Sequence, residues 1–376
     1  MPWKEVTAVA LRKEFIALAS LPGSNISELS RRFGISRTTA YKWLERAHSG
    51  EANALHNRST RPHYSPGRTP DAIEALIIET RLRYPEWGGR KLKKVLENEG
   101  HKGLPSPSTI TEILRRNDLL QTTSADHPGP WLRFEHAQPN DLWQMDFKGP
   151  IETRRGDAHA LTVLDDHSRY SLGIEICRQQ IYDDTKTALA AVFRRYGLPY
   201  RMTMDNGNPW GNPHGRWTRF AVWLIDQGIQ VSYSRPYHPQ TQGKDERFHR
   251  SLKAELLSRR GFKDAHDLQL RCNEWRVLYN QIRPHESLKM AVPLSRYQSS
   301  TRAYQESVAP FEYSTVDAVR TVHGTGQISY KGKIYKISEA FKGQKVGLRP
   351  TTEDGIMVVY YRHQRITQLD LRQGNV

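Results

Sequence analysis

Three carboxylates occupy sequence contexts in which acidic residues suggest metal chemistry. Asp146 lies inside the apolar run LWQMDF, Asp205 ends the run RMTMD, and Glu246 falls in the first turn of KDERFHRSLKAELL. A charged residue inside an apolar strand is rare unless something compensates its charge. Two aspartates on strands and a glutamate on a helix can converge at one edge of a sheet. Hard divalent cations such as Mg²⁺ prefer such oxygen ligands, and two ions require several carboxylates.

Each carboxylate also has a simpler explanation. Asp205 is followed by Asn206 and Gly207, which is ordinary turn chemistry. Glu246 could be one charge on a solvated helix face, or a favourable charge at the helix N-terminus. Asp146 is the hardest of the three to explain in this way. Taken singly, each residue is weak evidence for a catalytic site.

Glu246, Arg250 and Lys253 are spaced so that they project from one side of a helix. A metal-binding carboxylate with a lysine one to two turns further on suits a site that holds a phosphodiester. The alternative is salt bridging within the helix, which contributes only a few tenths of a kcal/mol.

The elements that would position these residues form a mixed α/β domain. Three consecutive strands are predicted first, in LWQMDF, ALTVLDD and SLGIEIC. Helices and strands then alternate: a helix from Asp183 to Tyr196, strand RMTMD, a helix from Trp217 to Gln227 and strand QVSYS. Two further helices are predicted over Lys244–Leu257 and about 265–280. This order implies a mixed sheet covered by helices. From about residue 315, six short strands with a Lys331-Gly332 hairpin turn predict a small β-barrel.

The first 120 residues read as short helices. Asn25 and Ser36 can cap two helices separated by a turn at Gly34-Ile35, and the second helix opens with exposed polar and basic residues. This layout fits a helix-turn-helix, with candidate DNA contacts at Arg37, Thr38, Thr39 and Lys42, or an ordinary helical hairpin. Helices starting near Thr69-Pro70, Lys91 and Ser106-Pro107 predict a second helix-turn-helix-like unit.

Composition restricts the classes of function. Lys and Arg number 56 against 40 Asp and Glu, a net charge of +16, which favours a polyanionic partner, although a merely soluble basic protein is the plainer explanation. Two distant cysteines make a disulfide framework or a structural zinc site improbable. The sequence has neither a long apolar run nor a signal-peptide core, so we expect a cytoplasmic protein.

Five motifs carry a resemblance to a known family: QMDFKGP, LTVLDDHSR, MDNGNPW, RPYHPQTQGKDERFHRSLKAEL and YNQIRPHESL. Together they resemble the integrase-core transposases of the retroviral-integrase superfamily, and most of all the bacterial insertion-sequence enzymes with a DDE signature. ISELSRRFGISRTTAYKWL resembles the helix-turn-helix of many transposases, which favours that interpretation over a hairpin.

The resemblance assigns metal binding and catalysis to Asp146, Asp205 and Glu246, and contact with substrate DNA to Lys253. It prefers Glu246 to the neighbouring Asp245 because the family's glutamate stands directly before Arg-Phe. Asp165 and Asp166 lie in a motif that supports the fold. Further candidate DNA contacts are Gln242, Lys244 and Arg250.

The same resemblance implies the fold and the chemistry. The core would be an RNase H-like domain with a five-stranded mixed sheet, using two Mg²⁺ ions, for which Mn²⁺ can substitute, to cleave element ends and join their 3′-hydroxyls to target DNA. The partners would be the terminal inverted repeats, target DNA and a second subunit or larger synaptic assembly, at the nucleoid, with no membrane.

Two features depart from the family pattern. The interval from Asp205 to Glu246 is longer than usual, and NPWGNPHGRW is the expected insertion, which we predict to line the DNA path. The zinc-binding domain of retroviral integrases is absent, so recognition of the ends would rest on the N-terminal helices.

The predicted organisation is a helix-turn-helix domain at 1–52, a second helical domain at 70–120, an RNase H-like core at 141–300 and a barrel at 315–376, with linkers at 53–69 and 121–140. Two other functions stay open at this point: a non-enzymatic DNA-binding regulator, and a nuclease of the same fold that only hydrolyses. A soluble structural module explains neither the charge nor the motifs.

Overall fold

The structure is a computed structural model that describes residues 7–51, 53–58, 67–120, 135–211, 217–233, 243–259 and 261–372. It divides into two compact units, Met1–Arg68 and Thr69–Val376. Residues 59–66 of the predicted linker at 53–69, and residues 121–134 of the predicted linker at 121–140, lie outside the described residues. No helix in the described part of the chain is both long enough and apolar enough to cross a membrane.

The first unit contains three helices, α1 (Ala8–Ala19), α2 (Ile26–Arg32) and α3 (Arg37–His48). The side chain of Asn25 accepts hydrogen bonds from the backbone N–H groups of the first turn of α2, and Ser36 does the same for α3, so both predicted caps are confirmed. Phe15 of α1 and Trp43 of α3 are buried in this small bundle. The N-terminal region is therefore helical, as predicted.

Three further helices open the second unit: α4 (Asp71–Arg83), α5 (Gly89–Asn98) and α6 (Pro107–Arg116). Their apolar faces form one cluster around Trp87, Leu92 and Ile110. Gly89 allows α6 to pack closely, because a Cβ atom there would lie 2.4 Å from the carbonyl oxygen of Pro107.

A mixed five-stranded sheet forms the centre of the second unit. Its strands are β1 (Leu142–Thr153), β2 (Gly156–Asp165), β3 (Ser171–Cys177), β4 (Arg201–Met204) and β5 (Gln230–Tyr233), in the order β3-β2-β1-β4-β5. The first three strands are antiparallel, and β4 and β5 run parallel to β1. This arrangement confirms the predicted mixed sheet.

Helices cover both faces of this sheet. The core formed by Trp143, Met145 and Met202 includes residues of α7 (Tyr182–Tyr196) and α8 (Arg219–Asp226). The opposite face, with Ala160 and Ile174, packs against α9 (Gly243–Glu255) and α10 (Ala265–Gln281). Because side chains alternate along a strand, Gln144 and Asp146 point to the α9 side and their neighbours to the α7 and α8 side.

Six strands follow, as predicted: β6 (Ala318–Thr321), β7 (Gln327–Tyr330), β8 (Lys333–Lys336), β9 (Lys345–Pro350), β10 (Ile356–Tyr361) and β11 (Gln364–Asp370). Lys331 and Gly332 both have positive φ, which confirms the predicted hairpin turn between β7 and β8.

The predicted barrel is not seen as a closed structure. β11, β10, β9 and β6 form an open four-stranded sheet, and β7 and β8 form a separate hairpin. No strand ladder among the described residues joins β11 to the hairpin, so the pairing does not close. The module packs on the sheet core instead, where Arg362 of the β10–β11 turn forms an ion pair with Asp226 of α8.

One buried carboxylate joins α4–α6 to the sheet core. Glu255, at the end of α9, accepts hydrogen bonds from the indoles of Trp87 and Trp275, both at 3.1 Å, and from the guanidinium of Arg283 at 2.8 Å. The side chains of Glu255 and Arg283 are only about a tenth exposed. Loss of one member of such a buried network leaves the others without partners, which is costly.

We therefore expect Glu255→Ala to lower the free energy of unfolding of the second unit by about 3 kcal/mol or more, because Arg283 would remain buried without its counter-charge. Urea unfolding followed by tryptophan fluorescence measures this loss. Arg83→Ala is the matched control, since its ion pair with Glu99 is solvent-exposed and contributes less than about 1 kcal/mol. Equal stabilities for the two variants would contradict the assignment of Glu255 as a structural junction.

Candidate active site

Asp146 lies in β1, and Asp205 directly follows β4, the parallel strand that pairs with β1. β1 and β4 pair Leu142 with Arg201 and Gln144 with Thr203, and continuing this register by two residues aligns Asp146 with Asp205. Adjacent strands lie about 4.8 Å apart, and residues in register point to the same face. The structure therefore brings these two predicted site residues together at the end of β4.

The environment of Asp146 disfavours its charge. Burial, with smaller contributions from the neighbouring charges of Asp205 and Glu246, raises the pKa of Asp146 to about 6, against the lowering effects of the Phe147 N–H and Lys148. The hydrogen bond from Phe147 N to Asp146 Oδ1 is 2.8 Å long. Such a carboxylate gains greatly from a bound cation, because the cation offsets both the desolvation and the repulsion.

A histidine from α9 packs against Asp146. His249 Nε2 lies 2.8 Å from Thr162 Oγ1, and that hydroxyl donates to the carbonyl oxygen of Asp146 at 2.9 Å. His249 Nδ1 is 3.6 Å from Asp146 Oδ2. Because burial, and then Lys148, lowers the pKa of His249 to about 4, the ring is neutral at pH 7 and this contact is not an ion pair.

Asp205 is held by the loop that follows it. Its Oδ1 accepts hydrogen bonds from Gly207 N at 3.0 Å and from the indole of Trp210 at 2.6 Å. Trp210 belongs to the stretch that we predicted to line the DNA path, but it is 1% exposed and packs in the core beneath Asp205. Residues 212–216 of that stretch lie outside the described residues, so their part of the prediction stays untested.

Two neighbouring carboxylates in the first turn of α9 differ in their exposure to solvent. Glu246 is exposed, whereas Asp245 is buried together with Phe248 and Leu252 on the face that packs on the sheet. Burial, and then the charges of Asp146 and Asp166, raises the pKa of Asp245 well above its usual value. Asp245 Oδ1 has no hydrogen-bond partner in the part of the chain that the structure describes.

The described side chains are not assembled as a finished metal cluster. Among them, no group of three or more His, Cys, Asp and Glu residues is placed so that it could hold an ion. Asp146 and Asp205 are aligned, while Glu246 is near enough to affect the pKa of Asp146 but remains exposed. The donors are carboxylate oxygens, the ligands that Mg²⁺ and Mn²⁺ take, so the residues suit such a cation.

The basic residues of α9 that are candidate DNA contacts differ in whether their side chains are free to bind DNA. Lys244 is largely buried and bonds its ammonium to Asp166, so it is engaged within the protein rather than free for DNA. Arg250 and Lys253 are exposed. Lys253 and Lys148 line one surface cleft of about 580 Å³. Gln242 lies outside the described residues.

The acidic pair expected to support the fold is buried and hydrogen-bonded. Asp165 accepts from Asn140 N, Ser168 N and Ser168 Oγ. Asp166 accepts from Gln144 Nε2 at 3.0 Å as well as from Lys244. These contacts agree with a role in holding β1, β2 and α9 together.

In the first unit, the helix-turn-helix candidates lie on the first turns of α3. Arg37, Thr38 and Lys42 are exposed there. Thr39 is half-buried, its Oγ1 lies 2.8 Å from Ser36 Oγ, and its backbone N–H donates to the same oxygen at 3.1 Å. The geometry thus leaves three of the four side chains open to a ligand and engages Thr39 in the helix cap.

Sequence reasoning did not single out Trp210, His249 or Thr162, although all three contact the two aspartates or the residues that hold them. A usable signal existed for two of them. His249 lies three residues after Glu246, which places it on the same side of a helix, and Trp210 lies five residues after Asp205 in a loop with little other apolar content. Thr162 gave no signal, because its role depends on strand pairing.

The raised pKa of Asp146 generates a pH-dependent stability in metal-free protein. The carboxyl group binds its proton more tightly in the folded protein than in the unfolded chain. The contribution of this proton to the free energy of unfolding is therefore complete below about pH 4 and is lost as the pH rises through about 6. In EDTA, Asp146→Asn should match wild type near pH 4 and be more stable at pH 7, by up to about 3 kcal/mol. Urea unfolding at both pH values measures this, with exposed Asp157→Asn as control. A difference that shrinks with rising pH would contradict this account.

Comparison with known proteins gives matches along most of the chain. Two "Integrase core domain" models match residues 136–239 and 227–293, which contain all three candidate carboxylates. A "Helix-turn-helix domain" matches 12–63, a "Homeodomain-like domain" matches 39–114, and "IS481 family transposase, C-terminal domain" matches 317–376.

Full-length relatives show the same relationship at low identity. The chain is 25% identical over 298 residues to an uncharacterized 39.2 kDa protein of insertion element IS476 from Xanthomonas euvesicatoria, covering 77% of this chain and 83% of the relative. It is 21% identical over 375 residues to a putative transposase of IS5376 from Geobacillus stearothermophilus, covering 96% and 88%.

Among solved structures, the HTLV-2 integrase catalytic core domain in complex with magnesium matches with 16% identity and a TM-score of 0.33, over 43% of this chain and 97% of that one. The family matches succeed one another along the chain as DNA-binding helices, integrase core and transposase C-terminal domain. In that order of matches the chain is similar to insertion-sequence transposases with an integrase core.

Proposed function

We propose that this protein binds the terminal inverted repeats of a mobile element in the bacterial cytoplasm, at the nucleoid, cleaves DNA at the element ends and joins the 3′-hydroxyls to target DNA. The observation that carries the proposal is the position of half-buried Asp146 on β1 beside Asp205 at the end of the parallel strand β4, beneath the helix that bears Glu246. The integrase-core matches over the same residues support it.

In this proposal Asp146, Asp205 and Glu246 hold two Mg²⁺ or Mn²⁺ ions. When bound, such ions supply activation of the attacking oxygen and stabilisation of the leaving oxygen. Asp146 would be one of the ligands, since burial and its acidic neighbours disfavour it as an isolated anion. Exposed Glu246 would join as the DNA backbone approaches α9.

The two steps use the same in-line displacement. In cleavage, a water oxygen forms a bond to phosphorus, the bond from phosphorus to the 3′-oxygen breaks, and a proton lost by the water passes to that oxygen to give the new 3′-hydroxyl. In strand transfer, that 3′-oxygen attacks a target phosphorus and displaces the target's own 3′-oxygen. Arg250 and Lys253 would bind phosphates beside the scissile bond, and no covalent protein intermediate or nucleotide cofactor is needed.

Joining two element ends requires at least two sites, so we propose a homodimer or a larger synaptic assembly. A DNA-binding regulator would bind the ends without cleaving them, and a hydrolytic nuclease would cleave without forming joined products. Incubation with Mg²⁺, DNA carrying the native element ends and a short labelled target distinguishes all three, because only a transposase forms the labelled strand-transfer product.

Removing one metal-binding carboxylate should abolish the chemistry but not the recognition. We expect Asp146→Asn and Glu246→Gln to slow cleavage of an end substrate by at least about a thousandfold, equal to about 4 kcal/mol. Gel-shift titration should show near wild-type binding to the terminal repeat. Asp245→Asn is the neighbouring control and should retain cleavage. If Asp245→Asn were inactive and Glu246→Gln active, the third carboxylate would be Asp245.

The helix-turn-helix should contribute phosphate and base contacts through α3. Arg37→Ala and Lys42→Ala should each weaken binding to the end sequence and reduce the slope of log affinity against log salt by about 1 for each lost phosphate contact. Lys13→Ala on exposed α1 serves as the control of equal charge change. If both α3 variants kept the wild-type footprint and slope, recognition would have to be reassigned to residues 70–120.

A further inference from the structure

A hydrogen bond connects a buried indole to one of the two neighbouring aspartates. Trp210 Nε1 lies 2.6 Å from Asp205 Oδ1, and the same oxygen accepts from Gly207 N at 3.0 Å. A buried indole N–H needs an acceptor, and a backbone carbonyl commonly serves. Here the acceptor is a carboxylate, so the bond is charge-assisted and stronger than a neutral one.

Trp210 is itself firmly held. Its carbonyl oxygen accepts hydrogen bonds from Thr218 Oγ1 and Tyr233 OH, both at 2.8 Å. Its ring is stacked on Phe147, with centroids 5.1 Å apart and planes 8° from parallel, and it also packs on Phe220. The indole therefore has little freedom to follow a moving carboxylate, and Asp205 must instead adapt to the indole.

The same stack links the two aspartates. The backbone N–H of Phe147 donates to Asp146 Oδ1, and the ring of Phe147 lies against the indole that donates to Asp205 Oδ1. Each aspartate thus has its Oδ1 atom occupied by a donor from one member of a stacked aromatic pair. Among the described residues, none donates a hydrogen bond to either Oδ2 atom, so both can accept a bond from a cation.

The loop that carries Trp210 is tightly closed. Gly211 N donates to Gly207 O at 2.7 Å, and a Cβ atom on Gly211 would lie 2.4 Å from the carbonyl carbon of Asn206. A Cβ atom on Gly207 would lie 3.0 Å from Asp205 Oδ2. This close packing fixes the distance between the indole and the carboxylate.

We propose that Trp210 is a positioning residue for Asp205, whose indole N–H holds Oδ1 and thereby directs Oδ2 toward a divalent cation shared with Asp146. The inference rests on the proposed function and deepens it by assigning the residue that orients the second metal ligand. Donors that fix a ligating carboxylate from behind typically contribute a 10- to 100-fold effect on metal affinity. A phenylalanine in this place would retain the aromatic stack and lose only the donor.

The test compares Mn²⁺ affinity in full-length variants without DNA, measured from the loss of the free Mn²⁺ electron paramagnetic resonance signal. We expect Trp210→Phe to bind Mn²⁺ roughly 10- to 100-fold more weakly than wild type. Trp217→Phe is the matched control, because its indole donates to a backbone carbonyl, Ile366 O, at 3.1 Å. It should leave the Mn²⁺ affinity unchanged. Equal affinity in wild type and Trp210→Phe would overturn the inference.

A second measurement needs no destabilising substitution. In wild-type protein with ¹⁵N-labelled tryptophan, the Trp210 indole N–H resonance should move on addition of Mg²⁺, and the Trp217 resonance should not. An indole resonance that stays in place at saturating Mg²⁺ would show that Trp210 only packs.

The variant Asp205→Asn distinguishes failure of the proposed metal site from failure of the proposed role of Trp210. If it binds Mn²⁺ as wild type does, Asp205 is not a ligand, and both the proposed site and the role of Trp210 are wrong. If it loses Mn²⁺ binding while Trp210→Phe keeps it, the site stands and only the role of Trp210 is wrong. Weakening in both, with Trp217→Phe unaffected, supports the inference.

Discussion

The constraint on which the rest of the structure depends is the placement of two carboxylates beside each other, one on β1 and one at the end of the parallel strand β4. The pairing of β1 with β4 aligns Asp146 with Asp205, and α9 covers the face to which they point. Burial and mutual repulsion disfavour this arrangement, as the raised pKa of Asp146 shows. We propose that a fold that keeps two carboxylates in such a place gives up stability in exchange for a preorganised cation site.

Several contacts counteract that repulsion by fixing each carboxylate from the protein side. Phe147 N donates to the carboxylate of Asp146, and Gly207 N and the indole of Trp210 donate to the carboxylate of Asp205. None of these partners is a cation in direct contact with the carboxylates. The charge is therefore oriented without being neutralised, which leaves the electrostatic attraction available to a metal ion.

Much of the fold could be predicted because it follows from local patterns. The short polar side chains of Asn25, Ser36 and Ser106 cap their helices, as the sequence predicts. Lys331 and Gly332 adopt the positive φ values of the predicted hairpin turn. Asp146 and Asp205 were identifiable because each stands in or directly after an apolar strand. Such signals need only a few neighbouring residues.

What the sequence could not predict depends on contacts between distant segments. Lys244 was a candidate for DNA, but Asp166, 78 residues earlier, engages it, and no local pattern reveals that pair. The opposite orientations of Asp245 and Glu246 depend on how α9 is rotated against the sheet. The six C-terminal strands were recognised singly, yet their arrangement as an open sheet and a hairpin depends on pairing partners.

The central claim is that Asp146 and Asp205 together bind a divalent cation, and locating that cation tests it most directly. Crystals of the full-length protein with an element end should be grown in Mn²⁺ and measured at a wavelength where manganese scatters anomalously. The account predicts an anomalous peak within coordination distance of oxygens from both aspartates, at about 2.0 to 2.2 Å. A peak confined to Asp245 and Asp166, or none near Asp146 at saturating Mn²⁺, would contradict it.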